Sequence, residues 1–156
     1  MAEIQGIRRI ALVAHDNCKA SLVQWVIRHM ELLQDRELVC TGTTGRLVRK
    51  AFENALGEAA ASVKMEILKS GPLGGDQQLG ARITEGKIDM LIFFWDPMQA
   101  QPHDVDVKAL LRIASLYDIP AACNAMTADF LIASPLFLNP PQTSPCDFSS
   151  YTERTL

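Results

Sequence analysis

Two hydrophobic patterns alternate along the chain. Residues 10–14 (IALVA) and 90–95 (MLIFFW) are short, almost wholly apolar runs, and they predict strands buried on both faces. Between and after them, apolar residues recur at helical spacing. Leu22, Trp25, Val26, Met30 and Leu33 form one such stripe, opening after Asp16 or Asn17, either of which can cap a helix. Residues 38–40 predict a second strand, and 46–56 a helix behind the sequence TGTTG. Residues 57–62 read as a loop or ragged helix end. Residues 63–68 alternate apolar and polar, as a less buried or edge strand does. SGPLGGDQQ then leads into a helix running through Glu85. Val107, Leu110, Leu111 and Ala114 mark a helix over 105–117, followed by a short strand at 119–123 and a helix at 127–133. From Ser134 onward Pro, Ser and Thr dominate, which predicts an extended, weakly ordered tail, irregular over 138–156.

Five alternations of strand and helix predict an α/β fold. The expected architecture is three-layered αβα, an open, doubly wound parallel sheet of about five strands with right-handed crossovers. No internal repeat interrupts the pattern, and 156 residues suit one domain over 1–156.

Composition narrows the function. The formal charge is −3 and no long Lys/Arg run occurs, so nucleic acid is not the expected partner. A small anion remains possible, because a few local donors can hold it. No apolar run approaches the roughly 18 residues of a membrane span, and the start, MAEIQGIRRI, is too short and polar for a secretory signal. Cys18, Cys40, Cys123 and Cys146 lie far apart, without a CxxC pair, which argues against a zinc ribbon or a thioredoxin-type site. A reduced, cytoplasmic protein is expected. Cys18, beside charged residues, is the thiol whose reactivity is in question.

In an open parallel sheet, ligands bind outside the carboxyl ends of the strands. Polar and Gly-rich segments gather there: HDNCK after the first strand, TGTTG after the second, SGPLGGD after the third, and DP leading to HDVD after the fourth. TGTTG combines glycines that let backbone approach a ligand with threonine hydroxyls and N–H groups at a helix N-terminus, a phosphate cradle without a Walker lysine. A plain strand-to-helix turn explains TGTTG alone equally well; a second such loop, SGPLGG, strengthens the ligand reading. Lys19 can reach a phosphate as a point charge, although a lone lysine is ordinarily just solvated. Each acid and imidazole also has an ordinary role: Asp16 and Asp76 as caps, Asp96 before Pro97 as a turn starter, Asp106 at a helix N-terminus, His15 and His103 as structural histidines. Together they surround a predicted anion site, where carboxylates repel the ligand and folding alone gives little reason to collect them. Acid–base chemistry does give a reason. A metal site ranks lower, since no HxH, HxxxH or dense carboxylate pattern occurs.

ALVAHDNCK, TGTTG, SGPLGGDQQLGARITEGKIDMLIFFWDPM and PHDVDVKALLR closely resemble bacterial methylglyoxal synthase, over about residues 10–137. The segment 52–69 is longer than the family usually has, and the tail after Leu138 does not align clearly. The resemblance implies a cofactor-free homohexamer that converts dihydroxyacetone phosphate to methylglyoxal and inorganic phosphate, with phosphate as an inhibitor that can act cooperatively. It implies Asp76 as catalytic base and His103 at the substrate carbonyl and hydroxyl oxygens. His15 and Lys19 would bind substrate, Thr41, Gly42, Thr43, Thr44, Ser70 and Gly71 would hold the phosphate, and Asp16, Asp96 and Asp106 would support the acid–base network. Family members also use a C-terminal Arg on the phosphate, and Arg154 is the position available for it. Two rivals stand beside this reading. One is the non-catalytic, ligand-sensing domain of the same fold found in carbamoyl-phosphate synthetase. The other is a sugar-phosphate isomerase that stops at the enediolate.

Overall fold

In a computed structural model, which describes residues 6–142 and 146–154, β1 (Arg9–Ala14), β2 (Glu37–Thr41), β3 (Met65–Leu68), β4 (Met90–Phe94) and β5 (Ala121–Ala122) form one sheet. All neighbours are parallel, in the order β3-β2-β1-β4-β5. The chain therefore builds outward from β1 in one direction and then returns to β1's other side with β4. That reversal opens a crevice at the carboxyl ends of β1 and β4.

Strand alternation divides the core. Ile10, Leu12, Ala14, Leu38, Cys40, Ile92 and Phe94 face one layer, with Leu22, Trp25 and Val26 of α1 (Lys19–Arg28), Met30 and Leu33 of α2 (Met30–Leu33), and Val48 and Phe52 of α3 (Gly42–Leu56). Ala11, Val13, Val39, Leu91 and Phe93 face the other, against Leu79 and Ile83 of α4 (Gly75–Thr84) and Val107, Leu110 and Ala114 of α5 (Asp104–Leu116). Both faces are covered, so the central strands are apolar along their middles, with polar residues only at their ends, Arg9 of β1 and Glu37 and Thr41 of β2. β3, at an edge, is the less buried strand the sequence predicts, but its adjacent Glu66 and Ile67 are both exposed instead of alternating.

Several local expectations need correction. The helix after β2 starts at Gly42, not at 46, so TGTTG is a strand end plus a first helical turn. The chain turns this tightly because Gly42 lies against the next strand's exit: a Cβ there would sit 2.7 Å from Ser70 Cα. Neither Asp16 nor Asn17 caps a helix. Residues Asp16–Cys18 form a 3-10 turn, the Asp16 carboxylate takes Lys19, and the Asn17 amide donates to Asp96 Oδ2 at 2.9 Å. The helix then breaks at His29, between α1 and α2. Residues 57–62, another 3-10 turn, join α3 to β3.

The region from Ser134 is not uniformly extended. α6 (Ala125–Ala133) is capped by Asn124, and α7 (Pro135–Leu138) begins with Ser134 as cap and Pro135 in its first turn. Ser-Pro reads as a breaker by composition, yet it is also an efficient helix start. Phe137 of α7 is 2% exposed and its carbonyl accepts the Ile7 N–H at 2.8 Å, a burial that contributes about 1.5–3 kcal/mol. α8 (Ser149–Thr152) lies within the tail, where Phe148 packs on Tyr117 with ring centroids 5.2 Å apart. The parts of the expected irregular tail at 143–145 and 155–156 lie outside the described residues, as does most of the polar start. Among the described residues, no helix is long and apolar enough to cross a membrane.

Candidate active site

Four strand exits converge on one cavity of about 230 Å³. β1 contributes His15, Asp16 and Lys19; β2 contributes Thr41 and, in the first turn of α3, Thr43 and Thr44. The exit of β3 contributes Ser70, Gly71, Pro72 and Asp76, and that of β4 contributes Gln101 and His103. Val13 and Phe93 add apolar wall. The volume falls below the roughly 300–1,000 Å³ of drug-sized sites, so the cavity suits a ligand of a few carbons and a charged group.

At the wall from β3 and β4, Asp76 is 3% exposed in the first turn of α4. Burial pushes its carboxyl above the ordinary range; His103 opposes this and Asp106 reinforces it. His103 Nε2 lies 3.7 Å from Asp76 Oδ2, beyond hydrogen-bond reach. Oδ2 of Asp76 and Nδ1 of His103 are buried without a hydrogen-bond partner. Such orphaned groups are expensive unless a ligand completes them. Gly71 is required here for space: a Cβ would stand 2.9 Å from His103 Nε2 and 3.1 Å from Asp76 Oδ2.

His15 stacks edge-on against Phe93 and His103, with centroids at 5.1 and 5.6 Å. Its Nδ1 accepts the backbone N–H of Asp96 at 3.1 Å. An accepting Nδ1 requires that the neutral ring carry its proton on Nε2, and Nε2 is the third buried atom without a partner. Burial, then His103, push the His15 pKa down, against opposing pulls from Asp104, Asp96 and Asp16. His15 is thus a neutral donor. Asp96 is nearly buried and lies behind the cavity wall, its carboxylate accepting from Asn17 Nδ2 and from the Met98 N–H at 2.9 Å each. Those bonds, led by Asn17, hold it below the usual carboxylate range.

The anion end lies at the β2 and β3 exits. Thr41 occupies the N-cap of α3 but its side chain caps nothing, so first-turn N–H groups are left to a ligand. The Thr43 hydroxyl accepts from Arg46 at 3.2 Å, which leaves its own proton free to donate. Thr44 is 2% exposed and its hydroxyl leans on the Ala14 carbonyl at 3.4 Å. Lys19 pairs with Asp16 at the mouth, holding the Asp16 carboxylate below its ordinary range.

Four expected site residues do not line this cavity: Asp96, which lies behind its wall, and Gly42, Asp106 and Arg154. Gly42 is not among the lining residues, and its N–H donates to the Lys69 carbonyl at 3.2 Å. Its role is the close approach to Ser70. Asp106 lies in the first turn of α5, outside the cavity lining, and raises the Asp76 carboxyl through its charge. Arg154 lies over the Tyr151 ring, 3.9 Å from its centroid. Conversely, the sequence gives Gln101 no site role, offers Asn17 only as a helix cap, and places Pro72 only in a glycine-rich loop. Asn17 lies inside HDNCK and could have been flagged as a second amide at a strand exit; Gln101 carried no signal beyond standing between DP and HD. Cys18 is a poor nucleophile, since burial and then the Asp96 carboxylate raise its pKa.

The family model described as the MGS-like domain matches residues 21–123. The methylglyoxal synthase of Maridesulfovibrio salexigens is 57% identical over 154 residues, covering 96% of this chain and 98% of that protein. That of Erwinia tasmaniensis is 51% identical, covering 98% of this chain and 95% of its own length. Among solved structures, methylglyoxal synthase from Elizabethkingia anophelis superposes with a TM-score of 0.82 at 46% identity, covering 96% and 93% of the two chains.

Proposed function

The chain belongs to the methylglyoxal synthase family, and from that membership we propose that it is a lyase converting dihydroxyacetone phosphate to methylglyoxal and inorganic phosphate. One observation carries this beyond likeness. Three buried polar atoms without partners, His15 Nε2, Asp76 Oδ2 and His103 Nδ1, belong to residues that line a single small cavity. A ligand-sensing module of the same fold has no use for a carboxyl raised by burial beside two imidazoles.

In the proposed reaction Asp76 takes a proton from the hydroxymethyl carbon next to the ketone, a task its raised pKa favours. The electron pair moves onto the carbonyl oxygen, giving an enediolate. His15, donating from Nε2, and His103 stabilise that charge. Thr41, Thr43, Thr44, Ser70 and Gly71 hold the phosphate and turn its C–O bond out of the enediolate plane. The proton of the terminal hydroxyl passes to the neighbouring oxyanion, the terminal oxygen's pair forms the aldehyde carbonyl, the double bond shifts toward the phosphate-bearing carbon, and the C–O bond breaks with its pair leaving on phosphate. The three-carbon enol that remains ketonises to methylglyoxal. With the C–O bond held in plane, elimination would stop and the enzyme would be an isomerase.

We extend the proposal to a cytoplasmic homohexamer inhibited by inorganic phosphate. Met126, Phe130 and Leu136, at 68%, 72% and 56% exposure on α6 and α7, support an assembly. Four free thiols suit a reducing compartment. The test is incubation of purified protein with dihydroxyacetone phosphate, with and without EDTA. Equal release of methylglyoxal and phosphate in both is expected. Glyceraldehyde 3-phosphate without free phosphate would replace the lyase by an isomerase, and loss of activity in EDTA would overturn the cofactor-free reading. Light scattering checks for six times the chain mass.

A further inference from the structure

Thr43 and Ser70 also bound a second cavity, of about 500 Å³, whose other walls include Arg46, Leu68, Lys69 and Leu73. Its ionised side chains are both cations. Arg8, Arg9, Lys19, Lys64, Arg82 and Lys87 all lie against carboxylates. Among the described residues, neither Arg46 nor Lys69 has a carboxylate within salt-bridge distance, as is also true of Arg28, Arg49, Lys50, Lys108 and Arg112, so both cations of this cavity are free to meet an anion. Arg46 spends a donor on the Thr43 hydroxyl, at 3.2 Å.

We propose that this second cavity binds a phosphate monoester larger than the substrate, and that its occupancy weakens the grip of the first cavity through Thr43. A guanidinium fork and an ammonium point charge are the donors that suit a phosphate dianion. Leu68 and Leu73, the latter 72% exposed, offer apolar surface to the carbon portion, and the cavity has about twice the volume of the catalytic one. Thr43 lines both. An anion on Arg46 withdraws that donor from the Thr43 hydroxyl and sets negative charge beside the substrate phosphate. Both effects oppose substrate binding. Linkage makes the antagonism reciprocal, and couplings of this kind run about 5- to 150-fold. The coupling rests on the lyase reading of the neighbouring cavity; the binding does not.

The experiment uses glucose 6-phosphate, a phosphate monoester too bulky for the smaller cavity. Calorimetry on the wild-type protein should give one molecule per chain. KM for dihydroxyacetone phosphate should rise at least fivefold and then level off as glucose 6-phosphate saturates, a plateau that competition for one site cannot produce. Lys69→Met should leave turnover without effector unchanged. Arg46→Gln with Lys69→Met should weaken glucose 6-phosphate at least tenfold while inorganic phosphate still competes with substrate. A melting curve establishes that both variants are folded. Absence of glucose 6-phosphate binding, unaltered binding in the double variant, or a KM that climbs without limit overturns the proposal. A protein that binds glucose 6-phosphate at Arg46 and Lys69 but makes no methylglyoxal would refute the lyase reading alone.

Discussion

Gly71→Ala adds one methyl group at the point where three catalytic elements meet. Gly71 does not need a left-handed backbone, so the change acts through space and not through strain. The new Cβ would stand 2.9 Å from His103 Nε2 and 3.1 Å from Asp76 Oδ2. Ordinary contact is about 3.5 Å, so the imidazole must retreat by about 0.6 Å and the carboxylate by about 0.4 Å. Both are packed, and they move away from the space where the reacting carbon and its oxygens sit. A misplacement of about 1 Å removes about 100-fold in rate, so shifts of this size should lower kcat/KM about 10- to 100-fold, or about 1.4–2.7 kcal/mol of transition-state stabilisation. Folding should not suffer in proportion, because replacing Gly by Ala at a compatible backbone position restrains the unfolded chain by about 0.4–1 kcal/mol. Gly80→Ala is the matched control. That position is inside α4 with nothing within 4 Å of an added Cβ, so stability should rise by about 0.5–1 kcal/mol and activity should not change. The assay is steady-state methylglyoxal formation with thermal melts of all three proteins. If Gly71→Ala retains kcat/KM within twofold, the reacting atoms do not sit between His103 and Asp76 and the mechanism is wrong.

Asp76→Asn should lower kcat by several orders of magnitude yet raise Tm at neutral pH. Burial raises this carboxyl, so the folded state loses stability as pH rises above the unfolded value of about 3.9, and the Asn variant's advantage should vanish below that pH. His15 shifts oppositely to a stabilising ion pair: its pKa is lowered by burial, so stability falls as pH drops below about 6.5 toward the folded pKa. His15→Gln should flatten that part of a Tm–pH curve, and an unchanged curve would mean that the imidazole titrates normally. Thr43→Val and Thr44→Val should separate. The exposed Thr43 should show raised KM and weakened phosphate inhibition at nearly constant Tm, whereas the buried Thr44 should lose about 1 kcal/mol of stability as well. Equal Tm losses would reject that division.

Much of the fold was legible along the chain. IALVA and MLIFFW are apolar at every position because β1 and β4 are covered on both faces, and 63–68 alternates because β3 is an edge. The placing of HDNCK, TGTTG, SGPLGGD and HDVD at strand exits followed from that alternation alone. What eluded a linear reading depended on neighbours distant in sequence. Ser134–Pro135 looked like a breaker until Phe137 had a core to enter and Ile7 had a carbonyl to bond. Gly42 and Gly71 look alike in sequence, but one abuts Ser70 and the other leaves room for His103 and Asp76. The proton on His15 Nε2 is assigned by a backbone N–H 81 residues away. Asp76 is an ordinary helix-start aspartate until burial raises it. Periodicity and turn chemistry are set by residues a few positions apart, and so they can be read from the chain. Desolvation, orphaned donors and charge coupling arise only where the order β3-β2-β1-β4-β5 brings four strand exits to one crevice, and no local pattern encodes that distance.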